Sequence, residues 1–165
     1  MYENFSRYNL TMKMPNYKDL NFNIKRELNK LKPKSFEEWK EAKSKVFCLA
    51  LGKYLTKINS HQPDIFKNYY QVLFYHSFIN YKREEELLSI LKAKGYQAKR
   101  TNLKMDGIYK IDIVATKGNE KIYIQVKLNK PKALELKNLH SFLRSKAFQG
   151  LIAWKESTEW KFKEI

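Results

Sequence analysis

Asp112, Gln125 and Lys127 are residues whose types and spacing could do chemistry. Asp112 lies in Lys110–Thr116 (KIDIVAT), and the other two lie in Lys121–Leu128 (KIYIQVKL). Both segments alternate with the period of a strand. Alternation puts Ile111 and Ile113 on one face and Asp112 on the other. In the second segment Ile122, Ile124 and Val126 share a face, and Tyr123, Gln125 and Lys127 share the opposite one. Lys117-Gly118-Asn119-Glu120 reads as the hairpin turn between them, so Asp112, Gln125 and Lys127 are expected on one side of a sheet. A carboxylate, an amide oxygen and an ammonium are poor packing material. Together they suit a hard cation and a phosphate. Three adjacent carboxylates, Glu84, Glu85 and Glu86, precede Leu87, Leu88 and Leu91 on a helical pattern that ends at Gly95. If that helix began near Arg83, the same carboxylates would simply complement its macrodipole.

The elements that must position these groups change character near residue 95. Before it, apolar residues recur at helical spacing. Tyr17, Leu20, Ile24, Leu28 and Leu31 form one stripe behind an N-cap at Asn16, and Pro33 ends it. Ser35-Phe36-Glu37-Glu38 reads as a capping box opening a second stripe through Trp39, Val46, Phe47, Ala50, Tyr54 and Ile58. After a break at 59–63, a third pattern runs from Asp64 to Gly95, with an interruption expected near Asn80. Beyond Gly95 the pattern predicts strands at 96–101, 110–116 and 121–128, a helix over 133–146, and strands at 149–155 and 159–164. The expected class is therefore α/β (α+β), a mixed sheet flanked by helices and preceded by an α-helical extension. Residues 1–80 are expected to form the helical region, serving dimerisation or DNA contact, and 81–165 the core that carries the chemistry.

Thirty-three Lys and Arg against seventeen Asp and Glu give the 165-residue chain a formal charge of +16 and a pI near 9.8. The excess is spread along the chain and interleaved with aromatic residues, which suits a folded surface against phosphates better than a basic tail. No apolar run approaches the ~20 residues that span a bilayer. The N-terminal MYENFSRYNLTMKM has no apolar h-region, so no signal peptide is expected. One cysteine, Cys48, excludes an internal disulfide and a cysteine zinc cage, and its apolar neighbours point to a packing role. His61, His76 and His140 are isolated. The absence of a Gly-rich phosphate loop argues against a nucleotide cofactor. The aromatics Tyr69, Tyr70, Phe74, Tyr75, Phe78 and Tyr81 could stack the bases of a single strand, but their spacing is more often that of a helix core or dimer face. These readings lead to an intracellular protein, cytoplasmic or nucleoid-associated, with a polyanionic partner and no membrane.

The order of these pieces resembles the PD-(D/E)xK nuclease superfamily. EEELLSILKAKGYQAKRT followed by KIDIVATKGNEKIYIQVKLNK is similar to its catalytic core, and HSFLRSKAFQGLIAWKESTEWKFKEI to the last helix and strands of archaeal-type Holliday junction resolvases. The resemblance covers about residues 83–165 and implies a restriction-endonuclease-like fold and a metal-dependent DNA endonuclease. Glu84, eleven residues before Gly95, takes the place of the family's helix glutamate, with Glu85 and Glu86 as rivals. Asp112 takes the central metal-ligand place. Gln125 stands where the family usually has Glu or Asp, a variant shared with some homing endonucleases. Lys127 takes the place of the catalytic lysine. The resemblance implies Mg²⁺ (or Mn²⁺) held by Glu84, Asp112, Gln125 and the Val126 backbone carbonyl. Lys110, Lys130, Lys132, Arg144 and Lys146 are candidates for phosphate contact. Duplex or branched DNA is the implied substrate, and a homodimer suits its two-fold character. The helix over 133–146 lacks the Gln-x-x-x-Tyr pattern of RecB-like exonucleases, which favours an endonuclease. A site-specific homing or restriction-type enzyme and a catalytically inactive DNA- or RNA-binding module on the same fold are the alternatives.

Overall fold

A computed structural model describes residues 14–146 and 148–165. The stretch read for a signal peptide falls almost wholly on residues 1–13, outside the described residues. The chain divides between Ser77 and Phe78 into two compact units. No helix among the described residues is long and apolar enough to cross a membrane.

The first unit contains α1 (Tyr17–Leu20), α2 (Ile24–Leu31), α3 (Phe36–Lys57) and α4 (Pro63–Tyr69), followed by a π-helical turn at Tyr70–Tyr75. The single helix expected over residues 17–31 is two. Asn16 does cap it, with its side chain accepting from the Lys18 and Asp19 N–H groups. Asn21 then turns left-handed at φ 49°, and Asn23 caps a new start. Asparagine tolerates that conformation and competes for backbone hydrogen bonds, which the apolar spacing did not weigh. Ser35 caps α3 as expected, accepting from Glu38 N–H at 3.2 Å. The reciprocal bond reaches one residue further back, from Lys34 N–H to Glu38 at 2.8 Å. The expected interruption at Asn80 is instead the π-helical turn at Tyr70–Tyr75. The aromatic run is core here: Phe74 is fully buried, stacked on Trp39 at 4.9 Å and on Tyr70 at 5.0 Å.

The second unit holds α5 (His76–Ala93) from Phe78 onward, β1 (Gln97–Arg100), α6 (Leu103–Tyr109), β2 (Ile113–Lys117), β3 (Glu120–Lys127), α7 (Ala133–Ser145), β4 (Gln149–Glu156) and β5 (Glu159–Glu164). The five strands lie in sequence order, antiparallel except for the parallel pair β3–β4 that α7 connects. Gly95 ends α5 at φ 85°, with Tyr96 N–H returning to the Leu91 carbonyl and Gly95 N–H to that of Lys92. This paired closure requires a left-handed residue. Gly118, at φ 58°, opens the two-residue β2–β3 turn. One face of the sheet buries Ile113, Ala115, Ile122, Ile124 and Val126 with Leu87, Leu88 and Leu91 of α5. The other buries Tyr123, Ile152 and Trp154 with Leu139 and Leu143 of α7.

One expectation fails at the start of β2. Residues 110–112 do not continue β2, and Ile111 joins the α7-side core while Ile113 joins the α5-side core. The cause is α6, which the strand reading did not anticipate. Asn102 caps it, Lys110 closes it in the left-handed region at φ 56°, and Ile111 N–H bonds back to the Met105 carbonyl. The chain thus emerges from a helix end into Asp112 rather than along a strand.

Candidate active site

Strand register brings four segments to one end of the sheet. Arg100 is opposite Ile113, Ile113 opposite Ile124, and Lys127 opposite Trp154. The start of β2 therefore meets the ends of β1, β3 and β4. Asp112 sits at that start, its backbone spanning both neighbours. Its N–H donates to the Ile124 carbonyl and its carbonyl accepts from Thr101 N–H, both at 2.9 Å. The Asp112 carboxylate accepts from Val126 N–H at 2.8 Å. A strand N–H points along the sheet, so this bond places the carboxylate at the sheet end beside Gln125 and Val126.

Glu84 comes from the interior of α5, eight residues after its start, so the macrodipole explanation does not hold for it. Arg100 Nε reaches Glu84 at 2.9 Å, its Nη2 reaches the Tyr81 carbonyl at 3.0 Å, and the guanidinium lies 4.4 Å from the Tyr81 ring centre. Glu84 and Gln125 are the buried polar residues among those described, 4% and 8% exposed. Burying a carboxylate and an amide is unfavourable unless partners or a function compensate.

Lys127 has the strand parity of Tyr123, the α7 side, and its Nζ reaches Glu135 at 2.8 Å. Glu135 also accepts from Lys132 N–H at 2.9 Å in the first turn of α7. These bonds, the Lys127 contact first, hold its carboxyl below the usual carboxylate range. Arg83 donates to the carbonyls of Lys127 and Leu128, fastening α5 to the end of β3.

Asp112, Gln125 and Val126 are thus adjacent, Glu84 is bonded to Arg100, whose strand partner Ile113 follows Asp112, and Lys127 is turned toward Glu135. Glu85 instead binds Tyr81 and Lys82, and Glu86 binds Lys155 and Trp160. Lys110, Lys130, Lys132, Arg144 and Lys146 are all exposed. Arg100, Arg83 and Glu135 were missed by the reading of the sequence. Nothing local distinguishes them from the other charges of the chain. The donor set is entirely oxygen, the chemistry that Mg²⁺ and Mn²⁺ accept. Among the described residues no three of His, Cys, Asp or Glu gather for a metal. Two carboxylates with an amide and a carbonyl fit an ion that keeps waters and takes part of its coordination from a substrate phosphate.

Residues 78–155 match a protein family described as restriction endonuclease. That segment is similar to a restriction endonuclease domain over a little under half of the chain. It spans α5 from Phe78 to β4, and so includes the whole candidate site. Among solved structures, the Holliday junction resolvase Hjc of the archaeal hyperthermophile Archaeoglobus fulgidus is 28% identical, with a TM-score of 0.41 over 50% of this chain and 73% of the resolvase. No curated protein matches the chain.

Proposed function

We propose that the restriction-endonuclease-like domain makes this chain a metal-dependent DNA endonuclease, hydrolysing phosphodiester bonds at the sheet end around Asp112. The observation that carries the reading is the burial of Glu84 and Gln125, the two polar side chains kept inside a core otherwise built from apolar ones. Glu84, Asp112, the Gln125 amide oxygen and the Val126 carbonyl are the groups that would hold Mg²⁺ or Mn²⁺. Bound there, the ion supplies charge neutralisation for the phosphate and a lowered pKa for water. Asp112 is preoriented by Val126 N–H, which fixes one carboxylate oxygen. Arg100 holds Glu84 in place. Lys127 commits one of its three N–H donors to Glu135, and the others are available to a phosphate oxygen. Duplex or branched DNA is the proposed substrate, and a homodimer would match its two strands.

The test is cleavage of linear duplex, single strand and four-way junction with Mg²⁺, Mn²⁺ or EDTA. Wild type is expected to cut in a metal-dependent manner, and Asp112→Ala to lose at least ~100-fold while keeping DNA affinity. One observation favours a second reading, a binding module on the same fold: Glu84 and Lys127 are already engaged with Arg100 and Glu135. Binding of all three DNAs with no cleavage by wild type would select it.

A further inference from the structure

A cavity of about 750 Å³ opens over β1 and the neighbouring strands, away from the phosphate-contact candidates named from the sequence. Its lining includes Lys92, Lys99, Arg100 and Lys121, and no carboxylate among the described residues that form it. The lysines come from three elements, α5, β1 and β3, and all three are exposed. The three exposed lysines repel one another and draw a polyanion to the concavity, while the charge of Arg100 is already paired with Glu84. The remaining lining mixes polar residues such as Thr101, Asn102 and Thr116 with the apolar Ala98, Met105 and Val114. Its aromatic member, Tyr123, is already stacked on Phe148 at 4.2 Å and is buried, so it offers no open ring to a base. Charge without a stacking platform suits phosphates rather than bases.

We propose that this groove carries the sugar-phosphate backbone of one DNA strand without reading its sequence, and leads it to the candidate active site. Arg100 belongs to both, lining the groove and holding Glu84, so a strand in the groove is continuous with the sheet end. The assignment rests on the reading of DNA as the substrate. Lys99 on an edge strand could serve only to block edge-to-edge pairing. Lys121 on the internal strand β3 and Lys92 on α5 have no such duty.

Binding of labelled duplex and single-stranded DNA in EDTA, across a series of salt concentrations, tests it. The full chain is compared with Lys99→Gln/Lys121→Gln and with a charge-matched control on the opposite edge strand, Lys161→Gln/Lys163→Gln. If each lysine contacts one phosphate, the slope of log affinity against log salt falls by about 1.8 on duplex or about 1.4 on single strand, and the control slope is unchanged. The DNA whose slope falls identifies the strand form carried. A slope unaltered on both DNAs overturns the groove, as does a wild type that binds neither. Should the groove variant not fold, acetylation of wild-type lysines decides: DNA is expected to protect Lys99 and Lys121 but not Lys161 and Lys163, and equal reactivity overturns the proposal. A wild type that binds through these lysines yet cuts no DNA with metal refutes the nuclease reading alone. One that cuts with an unaltered slope refutes the groove alone.

Discussion

Three consecutive glutamates of α5 have three different fates. Glu84 is buried against Arg100, Glu85 accepts from Tyr81 and Lys82, and Glu86 holds Lys155 and Trp160. Successive helix residues diverge by ~100°, so neighbours in sequence address different surroundings. Burial, then the hydrogen bond to Glu85, pushes the Tyr81 hydroxyl up to about 12. The Lys155 hydrogen bond, with help from Trp160 and against burial, holds the Glu86 carboxyl below its ordinary value. A depressed carboxyl stabilises the fold above its unfolded pKa of ~4.3 and loses that contribution as pH falls through the folded value. The urea midpoint of wild type should therefore exceed that of Glu86→Gln near pH 7, with the gap closing in acid below about pH 4. A gap constant from pH 3 to 7 would assign Glu86 to packing alone. The rivalry among Glu84, Glu85 and Glu86 was visible in the sequence but not its resolution, because rotation of α5 on the sheet is set by Leu87, Leu88 and Leu91 against β2 and β3.

At the scale of elements, polar and steric contacts both join helices to the sheet. Arg100 ends β1 and binds Glu84 and the Tyr81 carbonyl of α5. Arg100→Ala leaves the Glu84 carboxylate buried without this cation and should cost about 3 kcal/mol. In a Glu84→Gln background the same change should cost ~1 kcal/mol, and an additive double-mutant cycle in chemical denaturation would show the pair uncoupled. On the other face, a Cβ at Gly150 would lie 2.0 Å from Leu143 Cδ1, and Leu143 is itself buried. α7 and β4 approach that closely only over glycine. Gly150→Ala should therefore lower stability by about 1–3 kcal/mol, read as a drop in the melting temperature. Strand positions and the β2–β3 turn were legible because alternation and a turn glycine are local signals. Helix α6 was not. Its periodic residues are few, and Lys110 in a left-handed closure has no signature in residue type.

The whole molecule is two compact units under a charge of +16. With DNA as the proposed ligand, a charge of that size should make affinity strongly dependent on salt. If six phosphates are contacted, affinity should fall by about 10³ between 50 and 200 mM salt in titrations of duplex DNA. A shallow dependence would mean that the basic residues mostly solvate the surface. Composition alone set the expectation of a polyanionic partner, and hydrophobic period determined the mixed α and β order, since both depend on residue type and near neighbours. The sequence also nominated Glu84 and Gln125 before their burial was known. Tertiary structure decided which carboxylate of three turns inward, that Arg100 and Glu135 are the partners of Glu84 and Lys127, and that Asp112 stands at a strand's start rather than within it. Those outcomes depend on register and on contacts between residues 8 to 16 positions apart or more. No local pattern encodes them, because the energy that selects one pairing exists only when the sheet and its helices have closed.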